Sequence, residues 1–149
     1  MEDKKNIKIL LVDDSDSDAG LFKEFLADAN DFDHEIERSS TLMEGIKAFS
    51  SRRHDVVMLD LDLPDSEGID TVRSFLDSCA GATVIVMTST DAHEVGLNAV
   101  AAGAQDYLSK GEYDGHSIAR IIKFSLERVR YSSLVDEVTK CFLGFGPDT

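Results

Sequence analysis

The chain alternates short apolar runs with longer stretches in which apolar residues recur every three or four positions. Ile7–Val12 (IKILLV) has no polar face and predicts a buried strand. Ser15–Ala29 follows with Leu21, Phe22, Phe25 and Leu26 at helical spacing. His34–Ser39 (HEIERS) predicts a weak, polar strand near a sheet edge, and Thr41–Ser50 a helix with Leu42, Ile46 and Phe49 on one face. Asp55–Leu59 (DVVML) and Thr83–Met87 (TVIVM) read as further buried strands. Between them, Gly68–Cys79 carries Ile69, Val72, Phe75 and Leu76 in helical register. Asp91–Ala102 predicts an Ala- and Val-rich helix with Gly103 as its C-cap, and Asp106–Ser109 (DYLS) a short strand. From about Gly115 a last helix turns Ile118, Ile121, Ile122 and Leu126 inward.

Five strand–helix units result. Strands rich in Val, Ile and Leu without alternation suit a parallel sheet covered on both faces, so the expected class is a doubly wound α/β sandwich. A length of 149 residues provides one domain with a real core. The net charge of −14 repels nucleic-acid phosphates and argues against direct nucleic-acid binding. The apolar run near the N-terminus is too short for a signal peptide, and no segment approaches a membrane span, so a cytoplasmic location without membrane contact is expected. Cys79 and Cys141 stand far apart with no histidine beside them, which argues against a disulfide or a zinc site. His34, His54, His93 and His116 are scattered at element ends and read as surface residues.

In an open parallel sheet the site forms at the C-terminal ends of the strands. Those ends carry Asp13 and Asp14 after the first strand, Asp60 after the third, Thr88 and Ser89 after the fourth, and Lys110 after the fifth. Carboxylates gathered in this way need neutralising, which a hard divalent cation such as Mg²⁺ does with oxygen ligands. A phosphoryl group on Asp60 would then meet the Lys110 ammonium and the Thr88 hydroxyl as donors. Any one of these aspartates, taken alone, is equally a turn former or a helix cap, and one among Asp13, Asp14, Ser15, Asp16, Ser17 and Asp18 is expected to cap the first helix. Asp60 and Asp62 also match, by spacing, the Asp-x-Asp of dehalogenase-type phosphatases.

The texts LLVDDSDSD, DVVMLDLDLPDSEG, VIVMTS and AAGAQDYLSKG together resemble the receiver domain of two-component response regulators, from Ile7 to about Arg130. The resemblance implies a flavodoxin-like (βα)5 sandwich with a five-stranded parallel sheet of order 2-1-3-4-5. It implies Asp60 as phosphoacceptor and Asp13, Asp14, Asp60 and the backbone carbonyl of Asp62 as ligands of Mg²⁺, with Mn²⁺ as a substitute. Thr88 and Lys110 would act on the phosphoryl group, and Thr88 and Tyr107 would form the switch. The side chains of Asp62, Ser89 and Thr90 would modulate the lifetime of the phosphorylated state. Such a domain is a phosphoacceptor in a phosphorelay and not an enzyme with turnover. A dehalogenase-type phosphatase, which carries its Asp-x-Asp on the first strand, remains the remote alternative.

Two positions depart from the family pattern: Gly111 follows Lys110 where proline is common, and Ser89 follows Thr88 where a smaller residue is common. The resemblance implies a histidine kinase or histidine phosphotransfer protein as phosphoryl donor and a downstream protein as target. It also implies signalling, and a candidate homodimer, through the face made by the fourth helix, fifth strand and fifth helix. Residues 1–130 are the expected receiver domain. Residues 131–149 are expected to form a helical extension or linker remnant with no separate output domain, and Leu134, Val135, Val138 and Phe142 could extend the last helix as a pairing face. DEVTKCF resembles the start of diguanylate cyclase domains, so the alternative is the receiver half of a larger regulator acting by dimerisation.

Overall fold

The computed structural model of the chain describes residues 6–89 and 93–143, except for the side chains of 93, 133 and 136–143. The predicted alternation is present: β1 (Asn6–Val12), α1 (Asp16–Ala29), β2 (Asp33–Ser39), α2 (Leu42–Ser51) and β3 (Val56–Asp60) follow in order. Then come β4 (Asp62–Leu63), β5 (Ser66–Glu67), α3 (Ile69–Ser78), β6 (Val84–Thr88), α4 (His93–Ala101), β7 (Asp106–Ser109) and α5 (Gly115–Leu143). The main sheet has five strands in the order β2-β1-β3-β6-β7, all parallel. This is the flavodoxin-like order that the family resemblance implies, because β4 and β5 form a separate two-stranded antiparallel hairpin outside the sheet.

Strand alternation splits the core in two. Leu10, Val12, Val57, Leu59, Val84 and Val86 face one way, onto Leu42 and Phe49 of α2, Val72 and Phe75 of α3 and Ala99 of α4. Ile9, Leu11, Met58, Ile85 and Met87 face the other way, onto Phe22 and Leu26 of α1 and Ile118 and Ile122 of α5. The central strands are buried on both faces, so their sequences lack polar alternation. The edge strand β2 alternates exposed and half-buried positions, as its polar sequence predicts.

Two expectations need correction. Leu21 is 46% exposed, because the buried stripe of α1 runs through Ala19, Phe22 and Leu26 and leaves Leu21 on its flank. His54 is not a surface residue. Its ring stacks on Phe49, and Nε2 lies 2.8 Å from Glu37 Oε1. The turn before β3 tucks it under α2, a placement that local sequence does not encode.

Caps fix the helix starts. Ser15 Oγ accepts from Asp18 N–H at the start of α1, so of the six cap candidates Ser15 is the N-cap, and the helix begins at Asp16. Thr41 caps α2 by accepting from Glu44 N–H, while the Glu44 carboxylate reaches back to Ser40 N–H, a variant of the capping box. A second cap on α2 comes from outside the helix. The exposed Asp65 carboxylate accepts from Leu42 N–H at 2.9 Å and Met43 N–H at 3.1 Å. Burial works against its ionisation, but these hydrogen bonds outweigh that and hold the carboxyl below its ordinary value. Asp65→Ala is expected to lower stability by about 1 kcal/mol through the lost cap. Urea unfolding checks this, and an unchanged midpoint would mean that the Asp65 carboxylate does not cap α2 in solution.

The last helix is a single element of 29 residues and continues without a break past Arg130. Tyr131, Leu134 and Val135 are exposed on it. The side chains of Val138, Cys141 and Phe142, and the final residues 144–149, lie outside the described residues.

Candidate functional site

The C-terminal ends of β1, β3, β6 and β7 meet at one edge of the sheet, above a cleft of about 520 Å³. Each strand delivers its polar residue there because the apolar run stops one register earlier. Asp13 follows Val12 and is 1% exposed, and its N–H is tied to Ser39 O of the neighbouring strand. Asp14 is exposed at the rim. Asp60 ends β3 and is 5% exposed. Lys110 follows β7, and its N–H donates to Thr88 O, which joins the fifth strand end to the fourth.

One ligand oxygen each from Asp13, Asp14 and Asp60 lie within 4.8 Å of one another. Three carboxylates at that separation form a hard-oxygen donor set that suits Mg²⁺ in chemistry and spacing. Lys110 Nζ reaches into the same group, at 3.0 Å from Asp13 Oδ2 and 3.1 Å from Asp60 Oδ2. The third carboxylate at Nζ is Asp18, whose Oδ2 is the nearest at 2.8 Å.

These surroundings set the acidities. Burial pushes the Asp60 carboxyl up to about 6, the Lys110 charge opposes the rise, and the Asp13 charge adds to it. Burial alone would lower the Lys110 pKa, but contacts with Asp18, Asp60 and Asp13 outweigh it and hold the ammonium above its ordinary value. Lys110 is therefore a fixed cation among carboxylates that repel one another.

The remaining predicted residues divide. Asp62 and Ser89 both line the cleft. Asp62 donates its backbone N–H to Asp60 Oδ1 at 3.2 Å, and its side chain is exposed. Thr88 is buried, with its hydroxyl 3.5 Å from Leu108 O, directed toward β7. Tyr107 is not in the cleft. Its half-buried ring lies across Gly96 of α4, close enough that a Cβ built on Gly96 would sit 2.6 Å from the ring's Cγ and Cε2. Thr90 lies outside the described residues.

Three residues were not singled out for the site by sequence. Asp18 reads as one of several cap candidates, yet its side chain crosses to Lys110, 92 positions away. Glu67 reaches the cleft only because the β4–β5 hairpin folds it back, and Gly68 N–H bonding to Leu61 O closes that loop. Arg38 of β2 donates Nε–H to Asp13 O at 3.0 Å and pairs with Asp16 at 2.7 Å, bracing the loop that carries the acid pair. A weak sign for Arg38 exists in the sequence, since it is the basic residue of an otherwise acidic edge strand.

Comparison with known proteins adds the following. The profile of the response regulator receiver domain matches residues 9–123. The chain is 32% identical over 103 residues to the chemotaxis protein CheY of Halobacterium salinarum, covering 69% of this chain and 83% of that protein. It is 30% identical over 120 residues to the DNA-binding transcriptional activator DevR/DosR of Mycobacterium tuberculosis, covering 78% of this chain. This chain spans about half the length of that activator, 53%. Among solved structures, a CheY-like response regulator receiver domain protein from Methanospirillum hungatei superimposes with a TM-score of 0.72 at 23% identity, covering 86% of this chain and 99% of the other.

Proposed function

Because this chain belongs to the response regulator receiver domain family of two-component signalling, we propose that it accepts a phosphoryl group on Asp60 in a Mg²⁺-dependent reaction and signals through the α4–β7–α5 face. The observation that carries this reading is the position of Asp60. Its carboxylate lies 3.1 Å from Lys110 Nζ, within an oxygen cluster shared with Asp13 and Asp14.

In the proposed reaction an Asp60 oxygen attacks phosphorus, the donor's leaving group departs with the bonding electrons, and an acyl phosphate remains. Asp13, Asp14, Asp60 and the Asp62 backbone carbonyl would hold Mg²⁺, or Mn²⁺ in its place. A bound cation would neutralise charge on the carboxylates and the phosphoryl oxygens. Lys110 and the Thr88 hydroxyl donate to those oxygens. To do so, Thr88 turns from Leu108 O toward the cleft, which changes the space beside the Tyr107 strand and shifts the population of the α4–β7–α5 face. The side chains of Asp62, Ser89 and Thr90 then set how long the phosphoryl group lasts.

The donor in this reading is a histidine kinase or a histidine phosphotransfer protein, and the output is a downstream protein. The reading places the protein in the cytoplasm; among the described residues no helix is long and apolar enough to cross a membrane. A second reading treats residues 1–130 as the receiver part of a larger regulator, such as one with a diguanylate cyclase output, that pairs through the C-terminal extension or the α4–β7–α5 face. It is favoured by the continuation of α5 to Leu143 with Tyr131, Leu134 and Val135 exposed. A phosphatase reading is the weaker fit, since the Asp62 backbone N–H, not its carboxylate, contacts Asp60.

Intact-protein mass after incubation with Mg²⁺ and acetyl phosphate tests the proposal. One added phosphoryl group is expected in the wild type, with none after chelation of the cation and none in Asp60→Asn. Equal uptake by Asp60→Asn would overturn the assignment of the acceptor.

A further inference from the structure

An ammonium group has three N–H donors, and at Lys110 three carboxylates stand within contact distance: Asp18 at 2.8 Å, Asp13 at 3.0 Å and Asp60 at 3.1 Å. Two of the three belong to the oxygen cluster that suits a cation, and one of those two is the proposed nucleophile. Asp18 belongs to neither group. It projects from the first turn of α1, and its own N–H is held by the Ser15 cap. We infer that Asp18 is a positioning residue for phosphoryl transfer: it keeps the Lys110 ammonium over the cleft while Asp13 and Asp60 are given up to the cation and the phosphoryl group.

Phosphorylation redistributes the contacts of the Lys110 ammonium. Phosphorylation of Asp60 removes the charge of the carboxylate that Lys110 now touches, and Asp13 would be a ligand of the cation. The N–H groups that pointed at Asp13 and Asp60 become available to phosphoryl oxygens. Without a third anchor, a lysine side chain has four rotatable carbons and a strongly hydrated head, and it would leave for solvent. Asp18 supplies that anchor from a rigid helical turn. The Asp18 side chain is 39% exposed and that of Lys110 19%, and both line the cleft, so the pair sits at its mouth. The sequence of α1 alone offers only a cap reading for this residue, because the partner lies on the far strand.

The inference rests on the phosphoacceptor reading, and a double-substitution cycle separates the two. The rate of phosphorylation by acetyl phosphate at saturating Mg²⁺ would be measured for wild type, Asp18→Ala, Lys110→Ala and the double variant. Asp18→Asn would serve as a variant that keeps the shape and loses only the charge. Asp18→Ala is expected to slow the reaction about tenfold, as a misplaced catalytic group does, and Asp18→Asn less. In the Lys110→Ala background the same change should slow it no further. Mg²⁺ affinity by calorimetry should stay within about twofold, since an exposed charge outside the ligand set contributes little. Equal slowing in both backgrounds, faster reaction in Asp18→Ala, or a large loss of Mg²⁺ affinity would each overturn the positioning role. Absence of phosphorylation in the wild type would instead overturn the phosphoacceptor reading itself.

Discussion

Lys110→Ala is expected to lose about 3 kcal/mol of folding stability at pH 8 in the absence of divalent cations, as well as most of its capacity to be phosphorylated. Lys110 is the cation among Asp13, Asp18 and Asp60, with Asp13 and Asp60 nearly inaccessible to water. Removing it leaves buried like charges facing one another. The loss has a definite pH dependence. Asp60 already titrates near 6, raised by burial against the pull of Lys110. A carboxyl raised in the folded state favours folding below its unfolded pKa, and that advantage disappears as pH rises through the folded value. Without Lys110 the Asp60 pKa rises further, so protonation relieves the repulsion at pH 5 but not at pH 8. The gap between wild type and variant should therefore widen from pH 5 to pH 8. Added Mg²⁺ should narrow it, because the variant's carboxylates lack the competing ammonium, bind the cation more tightly and are stabilised more by it than those of the wild type. Urea unfolding at both pH values, with and without Mg²⁺, checks this. A gap that is constant with pH would mean that the lost lysine acts through packing alone.

Gly96→Ala in α4 is expected to destabilise the wild-type domain by about 2 kcal/mol and to stabilise a Tyr107→Ala domain by about 0.5–1 kcal/mol. Glycine in the middle of a helix ordinarily costs stability, so alanine should help wherever there is room. There is none here. A Cβ on Gly96 meets the body of the Tyr107 ring, at 2.6 Å from Cγ, an atom close to the backbone that cannot swing aside on its own. The ring would have to leave its seat on α4 or the helix would have to lift. With Tyr107 truncated, the obstruction is gone and the helix propensity of alanine decides the sign. A reversal of sign between the two backgrounds, read from unfolding midpoints, tests the contact directly. Two stabilising effects would show that the ring does not rest on Gly96 in solution. If the switch runs through Tyr107, Gly96→Ala should also change how the α4–β7–α5 face responds to phosphorylation, since it biases one of the two ring positions.

Among the described residues, the pattern of apolar residues was enough to predict the five strands of the main sheet and the five helices, with the described ends shifted by a residue or two; the predicted start of α4 at Asp91 lies outside the described residues. Boundaries moved where a residue does something other than continue its element. Ser15 and Thr41 cap helices instead of joining them, and Asp60 belongs to its strand although it is acidic. The β4–β5 hairpin left no periodic signal, because two residues per strand are too few to show one. Asp13, Asp14, Asp60, Thr88 and Lys110 could be collected from sequence because each follows a strand in a parallel sheet. Tyr107 was singled out as well, but its seat on Gly96 was not legible, since α4 reads as an ordinary helix in Ala and Val.

Sequence alone was enough for the class of fold, the burial of the central strands on both faces and the end of the sheet where polar chemistry gathers. Those are local properties: periodicity sets the element, and the point where an apolar run stops sets which residue reaches the edge. Packing of distant segments added the rest: that Asp18 joins Asp13 and Asp60 at Lys110, which way the Thr88 hydroxyl points, that His54 is buried against Glu37, and what Tyr107 rests on. Each of these is a contact between distant segments, fixed by how helices pack on the sheet, and no stretch of chain near either partner carries a trace of it.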